Sequence, residues 1–232
     1  MTAHRPPTRL LVTLVLVASG AAGLLWSQVA VDGPATDLDR SVADAGADLL
    51  DVGSWATAAV EGFTWFGRFP VLAGVAGLVA AVVLVRGDRR AGLLVVVATL
   101  GAQGLNIGLK ALVERPRPLP ADPVFTASGF SFPSGHAMVS TAAYGAALVV
   151  LLPALPVRAR SAAVVAVTAV VVGLGLSRIA LEVHYLSDVV AGHLLGMAWL
   201  AVAALTCLPR REVADQAGAG AEMPAADRPG RG

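Results

Sequence analysis

The sequence predicts an all-α membrane protein: a polytopic helical bundle of about six transmembrane helices, with an extracytoplasmic amphipathic helix between the first two. Of its 232 residues, 56% are hydrophobic and only 14% are charged, and the mean hydropathy is +0.72. These values are far from those of a soluble protein. Six apolar runs are near the length of about 20 residues that a helix needs to cross a bilayer. They are Leu10–Val31, Phe69–Val85, Ala91–Leu109, Ser134–Val157, Ala162–Ser177 and Val189–Leu208.

The first run, Leu10–Val31, contains no charged residue. An arginine-bearing start followed by an apolar core is also typical of a signal peptide. Because the run is longer than the roughly 7–15 residues of a signal core, we favour an uncleaved first helix. Phe69–Val85 and Ala162–Ser177 are short for spans, so we expect them to borrow flanking residues.

Residues 36–52, between the first two runs, place apolar side chains at helical spacing. These side chains are Leu38, Val42, Ala45, Leu49 and Val52. Five aspartates fall elsewhere around the same turns: Asp37, Asp39, Asp44, Asp48 and Asp51. The pattern predicts an amphipathic helix at the outer surface. We expect it to be an ordinary loop helix with no part in the chemistry.

The distribution of Lys and Arg predicts that both termini are cytoplasmic, because cytoplasmic loops carry an excess of these residues. With the N-terminus inside, nine arginines lie at cytoplasmic ends: Arg5, Arg9, Arg86, Arg89, Arg90, Arg158, Arg160, Arg210 and Arg211. Six cations then lie outside: Arg40, Arg68, Lys110, Arg115, Arg117 and Arg178. Residues 1–9 are the predicted cytoplasmic N-terminus, 10–208 the six-helix domain and 209–232 a cytoplasmic tail. The composition of that tail predicts disorder.

The remaining composition argues against two kinds of site. The net charge is +1, and the sequence has no basic patch with interleaved aromatics, so nothing indicates a nucleic-acid partner. The single cysteine, Cys207, lies in an apolar run and is expected to be a small buried hydrophobic residue. An intrachain disulfide framework and a cysteine metal site are therefore not expected.

Ser177–Asp188 carries charged residues between two apolar runs. A charge in or beside a span costs about 2.5–3.5 kcal/mol on insertion scales, so such residues are kept when they pair or serve a site. His184 and Asp188 are four residues apart, so on a helix the carboxylate can hold the imidazole. Arg178 adds a fixed cation to the same rim. The alternative is a helix end with snorkelling charges.

Two further polar clusters lie at the same predicted face of the membrane. The first begins at Lys110 and continues through Glu114–Pro118, where the prolines stop the helix and hold the cations at the rim. The second is Phe132–His136, in which Ser134 is a predicted N-cap of the next span. A helix N-terminus with a glycine nearby is a ready anion site.

The three clusters together favour phosphate chemistry. Arginines offer forked hydrogen bonds to a phosphate and lysine offers a point charge. Two histidines suit acid–base or nucleophilic roles, because imidazole titrates near neutral pH. A metal site is the competing interpretation, and it is weaker because the surrounding cations would repel a divalent ion.

These clusters resemble the three signature motifs of the type 2 phosphatidic acid phosphatase superfamily. The matching stretches are Lys110-(six residues)-Arg117-Pro118, Pro133-Ser134-Gly135-His136 and Ser177-Arg178-(five residues)-His184-(three residues)-Asp188. All three are complete, in order and with the family's spacing. The resemblance covers the last four predicted spans, whereas the first two match only as two helices that precede the motifs.

The resemblance implies a role for each motif residue. His184 would be the nucleophile that forms a phosphohistidine, Asp188 would hold its ring, and His136 would be the general acid for the leaving oxygen. The phosphoryl oxygens would be bound by Lys110, Arg117, Ser134, the Gly135 backbone N–H and Arg178. Arg115 is expected to have a secondary role in substrate binding. No metal or other cofactor is implied.

Other polar residues inside the apolar runs are expected to be structural. His193 should pack between helices, because it does not share the face of Asp188. Asn106 and Gln103 should make interhelical hydrogen bonds.

The expected function is hydrolysis of a phosphomonoester or diphosphate on a lipid at the outer face of the plasma membrane. Candidate substrates are phosphatidic acid, phosphatidylglycerol phosphate and a polyprenyl diphosphate such as undecaprenyl diphosphate. Superfamily relatives that bind vanadate and oxidise halides share the motifs, but they are usually soluble. Two alternatives are a lipid transporter or flippase without hydrolysis, which the absence of an internal repeat disfavours, and a non-catalytic membrane scaffold, which the intact motifs disfavour.

Overall fold

The computed structural model describes residues 6–47, 50, 53–118 and 127–209, and within these ranges it contains helices and no strands. The helices are α1 (Thr8–Ala30), α2 (Pro34–Ala47), α3 (Trp55–Thr64), α4 (Phe69–Val85), α5 (Arg89–Val113), α6 (Gly135–Leu151), α7 (Val157–Ala180) and α8 (Leu186–Cys207). Short 3-10 turns follow α3 at Trp65–Gly67 and α6 at Leu152–Ala154. The predicted disordered tail, and the topology residues Arg5, Arg210 and Arg211, lie outside the described residues.

Five helices are long and apolar enough to cross a membrane: α1, α5, α6 with its 3-10 turn, α7 and α8. Helices α3 and α4 meet at a bend of 48°, and taken together as one broken span they are long and apolar enough to be a sixth. The short run Phe69–Val85 thus gains length from α3 on its N-terminal side. Large apolar side chains such as Leu16, Leu78 and Val165 stay exposed, as expected of surfaces that face lipid. The prediction of about six membrane helices is confirmed.

Helix α8 packs against α1, α5 and α6 and organises the bundle. Two glycines allow it to lie close to α6. A Cβ atom at Gly192 would lie 2.8 Å from the Ser134 carbonyl oxygen, and one at Gly196 would lie 2.5 Å from that of Met138. Small residues four apart commonly permit such close approach between membrane helices. The N-terminal ends of α6 and α8 are therefore held side by side.

Helix α2 confirms the predicted amphipathic helix, but its buried face differs from the prediction. Residues 48, 49, 51 and 52 of the predicted segment lie outside the described residues. Leu38, expected on the apolar face, is 54% exposed, whereas Asp39, expected on the polar face, is 1% exposed. The reversal has a physical cause, because Asp39 finds buried polar partners on α8 and on the segment that follows α5.

Candidate active site

The predicted site residues meet at one end of the bundle. The C-terminal ends of α5 and α7 and the N-terminal ends of α6 and α8 converge there, because successive spans run in opposite directions. The backbone N–H of Ser134 donates to the Asp188 carbonyl oxygen at 3.0 Å, which joins the second motif to the third. The histidines of these two motifs are close enough to interact electrostatically.

Asp188 is completely buried and accepts four hydrogen bonds. Its Oδ2 atom faces His184 Nδ1 at 3.3 Å, and it accepts from the Tyr185 backbone N–H at 2.9 Å and from the Ser131 hydroxyl. Its Oδ1 atom accepts from Arg115 at 2.5 Å. The four-residue spacing predicts a pair along a helix, but His184 precedes α8. The carboxylate reaches back from the first turn and holds both the imidazole and the start of the helix.

The hydrogen bonds of His184 define its tautomer. Its Nε2 atom lies 3.1 Å from Arg117 Nη1, and a guanidinium can only donate. Nε2 is therefore the acceptor, and Nδ1 carries the proton that is donated to Asp188. Burial lowers the pKa of His184 to about 4, against the opposing effect of the Asp188 carboxylate. A neutral ring with an available Nε2 lone pair suits a nucleophile at neutral pH.

Lys110 and Arg117 anchor the loop that precedes α6. Lys110 Nζ donates to the carbonyl oxygen of Phe130. Arg117 donates to the carbonyl oxygens of Ser128, Gly129 and Val183 at 2.7–3.1 Å. Burial lowers the pKa of Arg117 from its ordinary value. These contacts hold two cations beside His184 with a fixed geometry, as anion recognition requires.

Ser134 and His136 each present a buried polar atom to this end of the bundle. Ser134 is the N-cap of α6 as predicted, but its side chain does not cap the helix. Its Oγ atom and His136 Nε2 are buried without a hydrogen-bond partner among the described residues. Such atoms are costly unless a ligand or water satisfies them. They are therefore placed to contact a bound group.

Gly135 and Asn106 explain how this turn is held. The Asn106 Nδ2 atom donates to the Pro133 carbonyl oxygen at 3.1 Å, which confirms the predicted interhelical hydrogen bond of this residue. A Cβ atom at Gly135 would lie 2.9 Å from Asn106 Oδ1. A side chain at Gly135 would therefore push the turn away from α5.

Arg178 is 4% exposed, and one of its donors is held by a residue outside the motifs. Its Nη1 atom donates to Thr64 Oγ1 at 3.1 Å, and the same oxygen accepts from the Ser177 hydroxyl at 2.9 Å. Thr64 is the last residue of α3. The broken second span therefore takes part in positioning a motif arginine.

Arg115 and Asp39 form a buried network that the sequence did not predict. Arg115 donates to Asp39 at 2.8 Å as well as to Asp188, and its guanidinium lies 4.1 Å from the centre of the Tyr185 ring. Asp39 also accepts from the backbone N–H and the hydroxyl of Ser187 at 2.8 and 2.5 Å. Arg115 thus links α2 to the carboxylate that holds His184. Its predicted secondary contact with substrate stays a prediction, whereas its described contacts are all with the protein.

We expect Asp39→Ala to lower the free energy of unfolding by about 3 kcal/mol. Removing one partner of a buried ion pair typically costs about 3–5 kcal/mol, and Arg115 keeps Asp188 as a partner, which favours the lower end. The matched control is Asp37→Ala on the same helix, because its pair with Arg40 is exposed and should contribute less than about 1 kcal/mol. Unfolding in detergent would measure both. Equal losses would contradict a structural role for the Asp39 network.

The remaining histidine, His193, packs between helices as predicted. Its Nδ1 atom lies 2.9 Å from Thr141 Oγ1, and a Cβ atom at Gly175 would touch its ring. No group of three His, Cys, Asp or Glu side chains suitable for a metal ion occurs within residues 6–47, 50, 53–118 and 127–209. The metal independence of the reaction stays a prediction.

Two proteins from Bacillus subtilis are similar to this chain, one in sequence and one in fold. The chain is 39% identical over 95 residues to phosphatidylglycerophosphatase B of strain 168, a match that covers 40% of this chain and 46% of that protein. The chain thus spans about half the length of this curated relative. Its fold matches the crystal structure of a transmembrane PAP2 type phosphatidylglycerolphosphate phosphatase, with a TM-score of 0.74 and 25% identity. That match covers 82% of this chain and 93% of the other.

The family comparison agrees with the motifs. The family model of the PAP2 superfamily matches residues 91–212, which is more than half of the chain and includes all three motifs. The part that precedes the match contains α1 to α4, including Asp39 and Thr64. The protein is therefore a membrane-embedded, multi-span member of the PAP2 superfamily.

Proposed function

We propose that the protein is a lipid phosphatase that hydrolyses a phosphomonoester or diphosphate through a phosphohistidine on His184. The observation that carries this proposal is the orientation of that ring. Asp188 holds Nδ1–H at 3.3 Å, and Nε2 faces the Arg117 guanidinium at 3.1 Å. A bound phosphoryl group would take over this donor and bring phosphorus to the Nε2 lone pair.

In the first step, His184 Nε2 forms a bond to phosphorus as the bond from phosphorus to the leaving oxygen breaks. His136, protonated at Nε2, gives that proton to the leaving oxygen. In the second step, water attacks the phosphohistidine, His136 accepts a proton from it, and inorganic phosphate departs. The Nε2 atom of His136 is buried and has no hydrogen-bond partner among the described residues. This supports its role as the group that contacts the reacting oxygen.

The phosphoryl oxygens would be held by Lys110, Arg117, Arg178, the Ser134 hydroxyl and the Gly135 backbone N–H. Fixed cations and donors stabilise the charge that the transferring group spreads over its equatorial oxygens. No metal ion is needed for this step, because the side-chain cations supply the positive charge. Arg115 and Asp39 would position Asp188.

A lipid substrate is favoured by where the site lies. It is formed by the ends of membrane-length helices, and in a bilayer such ends would lie near the lipid headgroups. The names of both Bacillus relatives point to phosphatidylglycerol phosphate, and phosphatidic acid and undecaprenyl diphosphate are the other candidates. We propose that the protein lies in the plasma membrane with both termini cytoplasmic and the site at the outer face.

Phosphate release by the purified protein in detergent tests this proposal. Phosphatidic acid, phosphatidylglycerol phosphate and a polyprenyl diphosphate would be supplied with a chelator present. We expect release from at least one of them and inhibition by vanadate, which resembles the transition state of phosphoryl transfer. Movement of labelled lipid between leaflets without phosphate release would contradict the proposal.

We expect the Nε2 atom of His184 to stay unprotonated well below the usual histidine range. Burial lowers its pKa from 6.5 to about 4, so the neutral, attacking form is lost only as the pH falls through the lower value. Histidine ¹⁵N NMR of the substrate-free protein would follow this titration, with His184→Ala assigning the signal. A midpoint at or above 6.5 would contradict the burial that the structure describes.

A further inference from the structure

The break between α3 and α4 lies against the candidate active site, although no motif includes it. Thr64 accepts hydrogen bonds from Ser177 and Arg178 at 2.9 and 3.1 Å. A Cβ atom at Gly67 would lie 2.5 Å from His136 Cδ2, so the backbone passes directly over that ring. The Tyr144 hydroxyl donates to the Phe66 carbonyl oxygen and ties the same segment to α6. The break therefore forms the wall of the site beside His136.

Arg68 follows this wall and carries a cation that no described residue neutralises. Its backbone is fixed, because its carbonyl oxygen accepts from the N–H groups of Val71 and Leu72 at 3.0 and 3.1 Å. Its side chain is exposed, and within the described residues its guanidinium makes no hydrogen bond or ion pair. By contrast, Arg40, the other outer arginine beyond the motifs, already pairs with Asp32 and Asp37.

The cations divide between the two histidines. Arg68 directly follows Gly67, whose backbone packs against the His136 ring, and Arg178 donates to Thr64 of the same segment. Arg117 instead lies 3.1 Å from His184 Nε2, and Lys110 donates to the loop that Arg117 also binds. Arg68 therefore lies on the side of the proposed acid, whereas Arg117 lies on the side of the proposed nucleophile.

This division of the cations indicates that the leaving group carries a negative charge of its own. The attacking and leaving atoms lie roughly in line in phosphoryl transfer, so a cation beside His136 faces the leaving group. The diacylglycerol released from phosphatidic acid offers no charge to such a cation. A leaving group with a phosphate of its own does, and a guanidinium binds phosphate through paired hydrogen bonds.

We propose that Arg68 binds a second phosphate in the leaving group, which makes it a specificity-determining residue for lipids that carry two phosphates. The class includes polyprenyl diphosphates, whose leaving group is a prenyl phosphate, and phosphatidylglycerol phosphate, whose leaving group contains a phosphodiester. The inference rests on the proposed function, because it requires His184 and His136 to act on opposite sides of the scissile phosphate.

The test compares kcat/KM of the wild type, Arg68→Gln and Arg68→Lys on phosphatidylglycerol phosphate, farnesyl diphosphate and phosphatidic acid. We expect Arg68→Gln to lower the ratio of two-phosphate to one-phosphate activity about tenfold, as for loss of a charge-assisted hydrogen bond at an accessible site. Arg68→Lys should restore part of the ratio because it keeps the charge. Arg40→Gln should leave the ratio unchanged.

The two substrate arms distinguish the sources of the second phosphate. A ratio that falls for farnesyl diphosphate alone, for phosphatidylglycerol phosphate alone or for both supports the proposal. The pattern also identifies which spacing between the scissile and the second phosphate allows Arg68 to bind. A ratio unchanged in Arg68→Gln, including equal losses on all three substrates, would overturn it and leave Arg68 as an anchor at the membrane interface. Failure of the proposed function is recognised separately, because the wild type would then release no phosphate from any of the three.

Discussion

Replacing His184 with alanine is expected to abolish phosphate release while the protein still inserts and folds. Nε2 faces the Arg117 guanidinium at 3.1 Å while Asp188 holds Nδ1 at 3.3 Å, and it is the atom proposed to attack phosphorus. We expect kcat to fall on the order of 10⁵–10⁶-fold, as in a hydrolase that loses its nucleophile. Phosphate release from the lipid that the wild type prefers would measure the loss.

The matched control for this variant is His193→Ala. It also removes an imidazole, here a partly buried one, from the C-terminal part of the bundle, but His193 contacts Thr141 and takes no part in the proposed mechanism. We expect it to fold less stably and to keep kcat within about tenfold of the wild type, because its effect acts only through packing. A His184→Ala protein with substantial turnover would end the phosphohistidine mechanism.

The site residues that belong to the three motifs could be predicted from the sequence, because helix ends carry local sequence signals. Prolines stop α5 after its cations, Ser134 begins α6, and the apolar runs require successive spans to reverse direction. The chain crosses the membrane an even number of times between these positions, so the relevant helix ends must share one face of the membrane. The convergence of Lys110, His136 and His184 follows from this alternation and did not require tertiary contacts to be known.

The contribution of the first four helices could not be predicted in the same way. Asp39 and Arg115 are 76 residues apart, and the partners of a buried pair leave no periodic pattern in either segment. Amphipathic periodicity assigns an aspartate to the solvent face unless a buried cationic partner for it is already known. The available signal was that the five aspartates of residues 36–52 lie on the same predicted side of the membrane as Arg115.

Arg68 was missed for a different reason. The run that follows it, Phe69–Val85, predicts a span that borrows flanking residues, so an arginine just before it is assigned to the membrane interface. The bend of 48° between α3 and α4 instead brings it to the wall beside His136. A short apolar run preceded by Gly-Arg and a second, weaker helix is the sequence signal of such a broken span.

Replacing His136 with alanine is expected to separate the two steps of the reaction. With a lipid substrate, loss of the general acid should lower kcat by about 10²–10⁴-fold, because an alkoxide is a poor leaving group. With p-nitrophenyl phosphate, whose leaving group needs no proton, the first step should be nearly unaffected. Hydrolysis of the phosphohistidine should still be slow, because His136 is also the proposed base for the attacking water. The buried Nε2 atom, with no partner among the described side chains, is the group in position for both transfers.

The His136→Ala protein should therefore give a burst of nitrophenolate of about one equivalent per enzyme, followed by a slow steady rate. Rapid quenching with labelled aryl phosphate should trap phosphate on the protein in a form that is labile to acid and stable to alkali, as phosphohistidine is. The double variant His136→Ala/His184→Ala should show neither burst nor label, whereas His136→Ala/His193→Ala should show both. If His136→Ala slowed the aryl and lipid substrates by the same factor, its side chain would be acting on the fold or on phosphate binding, and proton transfer to the leaving group would have to come from elsewhere.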